Sequence, residues 1–177
     1  MNKIFELDFG TLKVIHNNIL ISELHEGILL DVQSNRKILE IGMQEFQGKP
    51  YGYISNRVHS YAVDPMVYKE SADYPALKAI AVVTEREIGI RSAQVERSFY
   101  KDKNSFEIFS SLEMAVSWML ESLLKVEVWQ AFGARQTLKN YPNNNFESMV
   151  KELINSFDFW IKGAITTSSF TSGTSSL

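Results

Sequence analysis

A chain of 177 residues with 21 acidic and 18 basic side chains has a net charge of -3 and no cysteine. This excludes disulfides, thiolate metal sites and cysteine nucleophiles, and it fits a reducing compartment. A mildly acidic chain is also a poor general nucleic-acid binder, because such affinity comes from clustered cations that neutralise phosphates. The length suits one domain with an appendage, enough to bury about 70% of its unfolded surface without covalent staples.

The opening, "MNKIFELDFG", lacks an apolar signal run. No stretch approaches the ~20 apolar residues of a bilayer span. The expectation is a cytoplasmic protein that is not integral to a membrane. "IFELDFG" and "TLKVIH" each read as short strands. "HNN" at residues 16–18 then turns the chain into "ILISEL", which predicts a β-hairpin over residues 11–24. "DVQSNRKILEIGMQEF" places Val32, Leu39, Gly42, Met43 and Phe46 on one helical face, with Asp31 as cap and "QGKP" as terminator.

"YGYIS" is a short strand behind Pro50. "DPMVYKESADY" reads as a short helix, with Asp64 at its N-cap and Pro65 at the first helical position. "LKAIAVVT", residues 77–84, is continuously apolar and therefore predicts a strand buried on both faces. Thr84 and Glu87 form a capping-box pattern before a helix striped by Ile88, Ser92, Val95 and Phe99. "FEIF" is a brief strand. Ser110 and Glu113 form a second capping-box pattern, before a helix face of Leu112, Val116, Met119 and Leu123. "KVEVW" is open between a strand and the end of that helix.

Strands that alternate with helices imply right-handed crossovers. The predicted class is α/β: an N-terminal β-hairpin, then alternating α and β elements forming a mainly parallel mixed sheet with helices packed on it. The domain spans residues 1–124. An extension at 125–165 follows the breaker "KNYPNNN" with an amphipathic helix over about 145–163, carrying Phe146, Val150, Leu153, Phe157 and Trp160. The expectation is that this helix docks within the protein or onto a second copy as a homodimer contact. Residues 166–177 form a Ser/Thr-rich tail, expected to be disordered.

The loop in "GYISNRVHSYAVDP", residues 52–65, concentrates the polar residue types. Ser55, His59 and Asp64 have the chemistry of a nucleophile, base and orienter, but such members normally converge from separate elements. No G-x-S-x-G elbow is present. Strand-to-helix loops also collect these residues for turns and caps, so no enzymatic role is expected. His16, His25 and His59 lie on separate segments without ligand spacing, so no metal or other cofactor is expected. Glycines make no phosphate cradle. Tyr51, Tyr53, Tyr61, Tyr68 and Tyr74 cluster around Arg57. Simple packing, with the Tyr51 and Tyr53 hydroxyls reaching the surface, is favoured over a partly apolar groove at the strand ends.

The strings "ELDFGTLKVIHNNILISELHEG", "KPYGYISNRVHSYAVDP", "YPALKAIAVVT" and "FEIFSSLEMAVSWM", in that order, resemble the STAS-like proteins. This superfamily includes the bacterial anti-sigma-factor antagonists with their SpoIIAA-like domains. The resemblance covers residues 1–124 and implies a regulatory, non-enzymatic domain that binds a protein partner, or in some branches a small apolar ligand. Where that family has an Asp-Ser-Ser-Gly-like helix start bearing a phosphorylated serine, this chain has Val63, Asp64, Pro65 and Met66. Asp64 supplies a fixed negative charge there, and Pro65 removes an amide donor. The expected recognition surface is Tyr53, Asn56, Arg57, His59, Ser60, Tyr61 and Asp64. Arg57 would meet an acidic group of the partner, and Tyr61 would give rigid contact area. The alternative is a lipid-like ligand held between sheet and helix.

Overall fold

The computed structural model describes residues 3–100 and 102–133. The expected helix over 145–163 and the Ser/Thr-rich tail lie outside the described residues. Three antiparallel strands open the chain: β1 (Lys3–Leu7), β2 (Gly10–Ile15) and β3 (Ile19–Leu24). His16 and Asn17 turn β2 into β3 at φ 50° and 60°, with the Asn18 amide donating to the Ile15 carbonyl. A two-residue strand β4 (Leu29–Leu30) leads into α1 (Val32–Glu45). Then come β5 (Tyr51–Asn56), the short β6 (Ala62–Val63), α2 (Met66–Ala72), β7 (Leu77–Val83) and α3 (Glu87–Phe99). A single 3-10 turn precedes β8 (Phe106–Phe109), and α4 (Leu112–Gly133) follows.

The main sheet has six strands in the order β1-β2-β3-β5-β7-β8, and β3 through β8 run parallel. The fold is α/β. "KVEVW" belongs to α4, so the expected boundary at 124/125 falls inside a helix. By internal contacts the chain divides into Met1–Gln130 and Ala131–Leu177, and the second unit is described only at residues 131–133.

Alternation along the strands sends side chains to two cores. One face carries Leu12, Leu20, Tyr51, Ile80, Val82 and Phe106, packed with residues of α1, α2 and α3. The other carries Ile19, Ile21, Ile54, Ala79 and Ala81 beneath Ala115, Met119 and Leu123 of α4. β7 is thus covered on both sides, as its unbroken apolar run requires. Gly52 lets α4 come close, since a Cβ there would lie 2.0 Å from the Met119 sulfur. The open edge at β8 is blunted: the Glu107 carboxylate accepts from the Ile108 amide at 3.1 Å.

Asp31 caps α1 as expected, accepting from the Ser34 amide at 2.8 Å. Asp64 accepts from the Met66 amide at 2.9 Å and Pro65 has helical φ, although the regular helix begins at Met66. Both expected capping boxes fail. α3 starts at Glu87 after an extended Arg86, two residues beyond Thr84, which stays at the end of the strand. For α4 the cap is Ser111, whose hydroxyl accepts from the Met114 amide at 3.3 Å. The stripe on α3 is also inverted. Ala93 and Glu96 face the core, whereas Ile88, Val95 and Phe99 are 76%, 60% and 50% exposed.

Candidate functional site

The site lies beyond the carboxyl ends of β3, β5 and β7, the edge at which open α/β sheets usually bind. β5 delivers Tyr53 and Ser55 to the face shared with α2 and α3, and Asn56 to the opposite face. The chain then leaves the sheet at Arg57, whose amide still donates to the Val83 carbonyl of β7 at 2.9 Å.

Arg57 turns inward. Its guanidinium makes a two-pronged contact with Glu96 of α3, Nη1 to Oε1 at 3.0 Å and Nη2 to Oε2 at 2.5 Å. The two side chains are only 7% and 5% exposed. Tyr68 of α2 donates to Glu96 and accepts from Arg57 Nη2 at 3.3 Å, and Ser92 donates to Glu96 Oε1 at 2.9 Å. The Tyr61 ring lies 5.3 Å from the guanidinium carbon, a cation–π contact. Two hydroxyl pairs extend the network: Ser55 with Tyr61 and Ser22 with Tyr53, each at 2.6 Å. Arg57 Nε is buried without a hydrogen-bond partner among the described residues.

Burial alone would raise the Glu96 carboxyl, but Arg57, helped by Tyr68 and Ser92, outweighs it and holds the pKa below the ordinary value. Burial pushes the phenols of Tyr53, Tyr61 and Tyr68 upward, so all three are protonated at neutral pH. The cluster is a fixed ion pair braced by neutral hydroxyls.

This alters what several expected site residues can do. Arg57 already has its acidic partner in Glu96, so it is not free to meet one on another protein. The tyrosine hydroxyls do not reach the surface as expected. Tyr51 OH is buried without a partner among the described residues, and Tyr53 OH is spent on Ser22. Ser55 bonds to Tyr61, while His59 is exposed and Asp64 caps α2. Asn56 donates to Glu23 at 2.8 Å. Sequence reasoning missed Glu96 and Ser22, and it placed Tyr68 in the tyrosine cluster around Arg57 without assigning it to the recognition surface. Glu96 carries no sequence signal of burial, because its contact with Arg57 forms only when α3 packs beside the loop after β5.

Between the buried Arg57 and the anchored Tyr61 stand three exposed residues, Val58, His59 and Ser60. Ser60 accepts from Arg86 through its hydroxyl and from the Gly27 amide through its carbonyl, the latter at 2.7 Å. β4 and β6 continue this link as a parallel ladder, pairing Leu29 with Ala62 and Leu30 with Val63. The tip is therefore held from both sides. Elsewhere, a shallow groove of about 250 Å³ between α1 and α2 is lined by Val32, Met66, Lys69, Glu70 and Asp73. That is below the roughly 300–1,000 Å³ of small-molecule sites. Among the described residues no group of His, Asp or Glu is placed to hold a metal ion, and no helix is long and apolar enough to cross a membrane.

No protein-family model matches this chain, and no curated protein or solved structure does either.

Proposed function

We propose that this is a non-enzymatic cytoplasmic binding domain of STAS-like type, which recognises a protein partner through Val58, His59 and Ser60. The observation that carries the reading is the exposed tip itself. Its three residues stand between two inward anchors, Arg57 and Tyr61, at the sheet's carboxyl edge. Val58 is 52% exposed although apolar, and the neighbouring Arg86 adds a cation. A rigid apolar group beside polar ones is the composition of a small recognition patch. The order of elements from the hairpin to α4 supports the STAS-like part of the proposal. The non-enzymatic part rests on engaged groups: Ser55 and Asp64 are both held in structural bonds.

A small apolar ligand between sheet and helix draws less support, because Tyr53 and Tyr61 fill that space and bond to Ser22 and Ser55. The test is affinity purification of the full chain from its host, wild type against Val58→Asp/His59→Ala. The reading expects a partner that wild type retains and the variant loses, with both equally folded by circular dichroism. Retention by both overturns it. A bound small-molecule mass without a protein partner transfers the assignment to ligand carriage.

A further inference from the structure

The loops that follow β3, β5, β7 and β8, residues 25–28, 57–61, 84–86 and 110–111, carry two arginines and no lysine: Arg57 and Arg86. Arg57 is buried on Glu96. Arg86 is exposed, and its Nη1 donates to the Ser60 hydroxyl of the tip. The other described arginines each have a carboxylate: Arg36 with Glu70, Arg57 with Glu96, Arg91 with Glu87 and Arg97 with Glu107. Arg86 has none among the described residues, because Glu87 beside it is taken by Arg91. Ser60 thus aims this guanidinium without neutralising it. One bond to Nη1 leaves the fork of Nε and Nη2, which matches the two oxygens of a carboxylate. Val58, 52% exposed, stands two residues from Ser60.

We propose that Arg86 is the residue by which the tip selects its partner, and that the partner is a protein segment presenting a carboxylate beside an apolar side chain. This rests on the reading of the tip as a recognition surface and names the chemistry it recognises. Arg86 takes the carboxylate through Nε and Nη2, and Val58 meets the apolar group. The acidic contact that the sequence suggests for Arg57 belongs to Arg86 instead, since Arg57 is spent on Glu96. A carboxylate fits this site better than a phosphate dianion. Glu85 and Glu87, both exposed, flank Arg86 and would repel a second negative charge, and a single arginine is not the cluster that phosphate recognition uses.

A random peptide library displayed on phage and panned against the full chain reads this chemistry directly. Peptides selected by the wild type should carry Asp or Glu next to an aliphatic or aromatic residue. Those selected by Arg86→Gln should keep the apolar residue and lose the acidic one. Because Arg86 is exposed, Arg86→Gln should melt as the wild type does. In a titration with one selected peptide, replacing its acidic residue by the corresponding amide should weaken binding to the wild type about 10- to 100-fold. The same replacement should leave binding to Arg86→Gln unchanged, since the pair is already broken. Equal acidic content in the peptides selected by the wild type and Arg86→Gln overturns the proposal, as does an equal effect of the amide on both proteins; either result leaves the tip a recognition surface. Peptides that bind Val58→Asp/His59→Ala as well as the wild type, or a panning that enriches none, overturn the reading of the tip itself, and the role of Arg86 falls with it.

Discussion

Arg57 and Glu96, 39 residues apart in the chain, meet in a buried two-pronged ion pair that joins the loop after β5 to the inner face of α3. Removing one member of such a pair leaves an uncompensated charge, at a cost of about 3–5 kcal/mol, whereas replacing both with apolar groups is often neutral. Arg57→Leu should therefore destabilise the protein more than Arg57→Leu/Glu96→Leu does. Urea titration of the wild type, the two single variants and the double variant measures the difference. Equal stability of Arg57→Leu and the double variant would show that the pair does not behave as a unit.

Acid should weaken the same junction. Burial raises the Glu96 carboxyl less than Arg57 lowers it, so the folded pKa lies below the ordinary 4.5. A depressed carboxylate contributes stability that is present above the unfolded value and lost as pH falls through the folded one. Melting temperature should fall as pH drops below about 4.5. In Glu96→Gln, already weakened at neutral pH, this part of the acid dependence should flatten.

Tyr51 makes the opposite prediction. Its hydroxyl is buried and unpartnered among the described residues, beside Gly42, while its ring stacks on Phe46 with centroids 5.0 Å apart. The ring contributes packing and the hydroxyl only a desolvation cost. Tyr51→Phe should leave the melting temperature unchanged or raise it, as differential scanning calorimetry can record.

Gly52 is the position at which α4 tolerates least. A methyl group would overlap the fully buried Met119, so Gly52→Ala should cost about 1–3 kcal/mol in chemical denaturation. Shortening Met119 to Ala in the same chain should recover part of that loss. Destabilisation unaffected by the second change would place the clash elsewhere.

The elements of this fold were legible because apolar periodicity and local turn chemistry act within a few residues. Asp31 and Asp64 sit at their helix starts for that reason, and the run from Leu77 to Val83 announces a doubly covered strand. Other features depended on distance. Periodicity groups Ile88, Ser92, Val95 and Phe99 on one side of α3, but only the sheet beneath decides which side turns inward. The sheet accepts Ala93 and Tyr100 there, leaving the larger stripe outside. Arg57 reads in sequence as a surface cation because Glu96 and Tyr68 reach it only through the packing of α2 and α3. Thr84 has a capping pattern without the cap, because its backbone continues β7, where its amide donates to the Phe109 carbonyl at 2.9 Å.

The ladder between β4 and β6 makes the loops after β3 and β5 a single piece of structure. Flexible loops that settle only on contact give up about 1–2 kcal/mol of backbone entropy per residue and slow the encounter. Here the amides of Gly27, Ala62 and Asp64 already have acceptors across the gap, at 2.7, 2.9 and 3.0 Å. Whatever docks on this edge meets it in final form. The rate of association should then be set by diffusion and orientation, and differences between partners should be read in how long they stay.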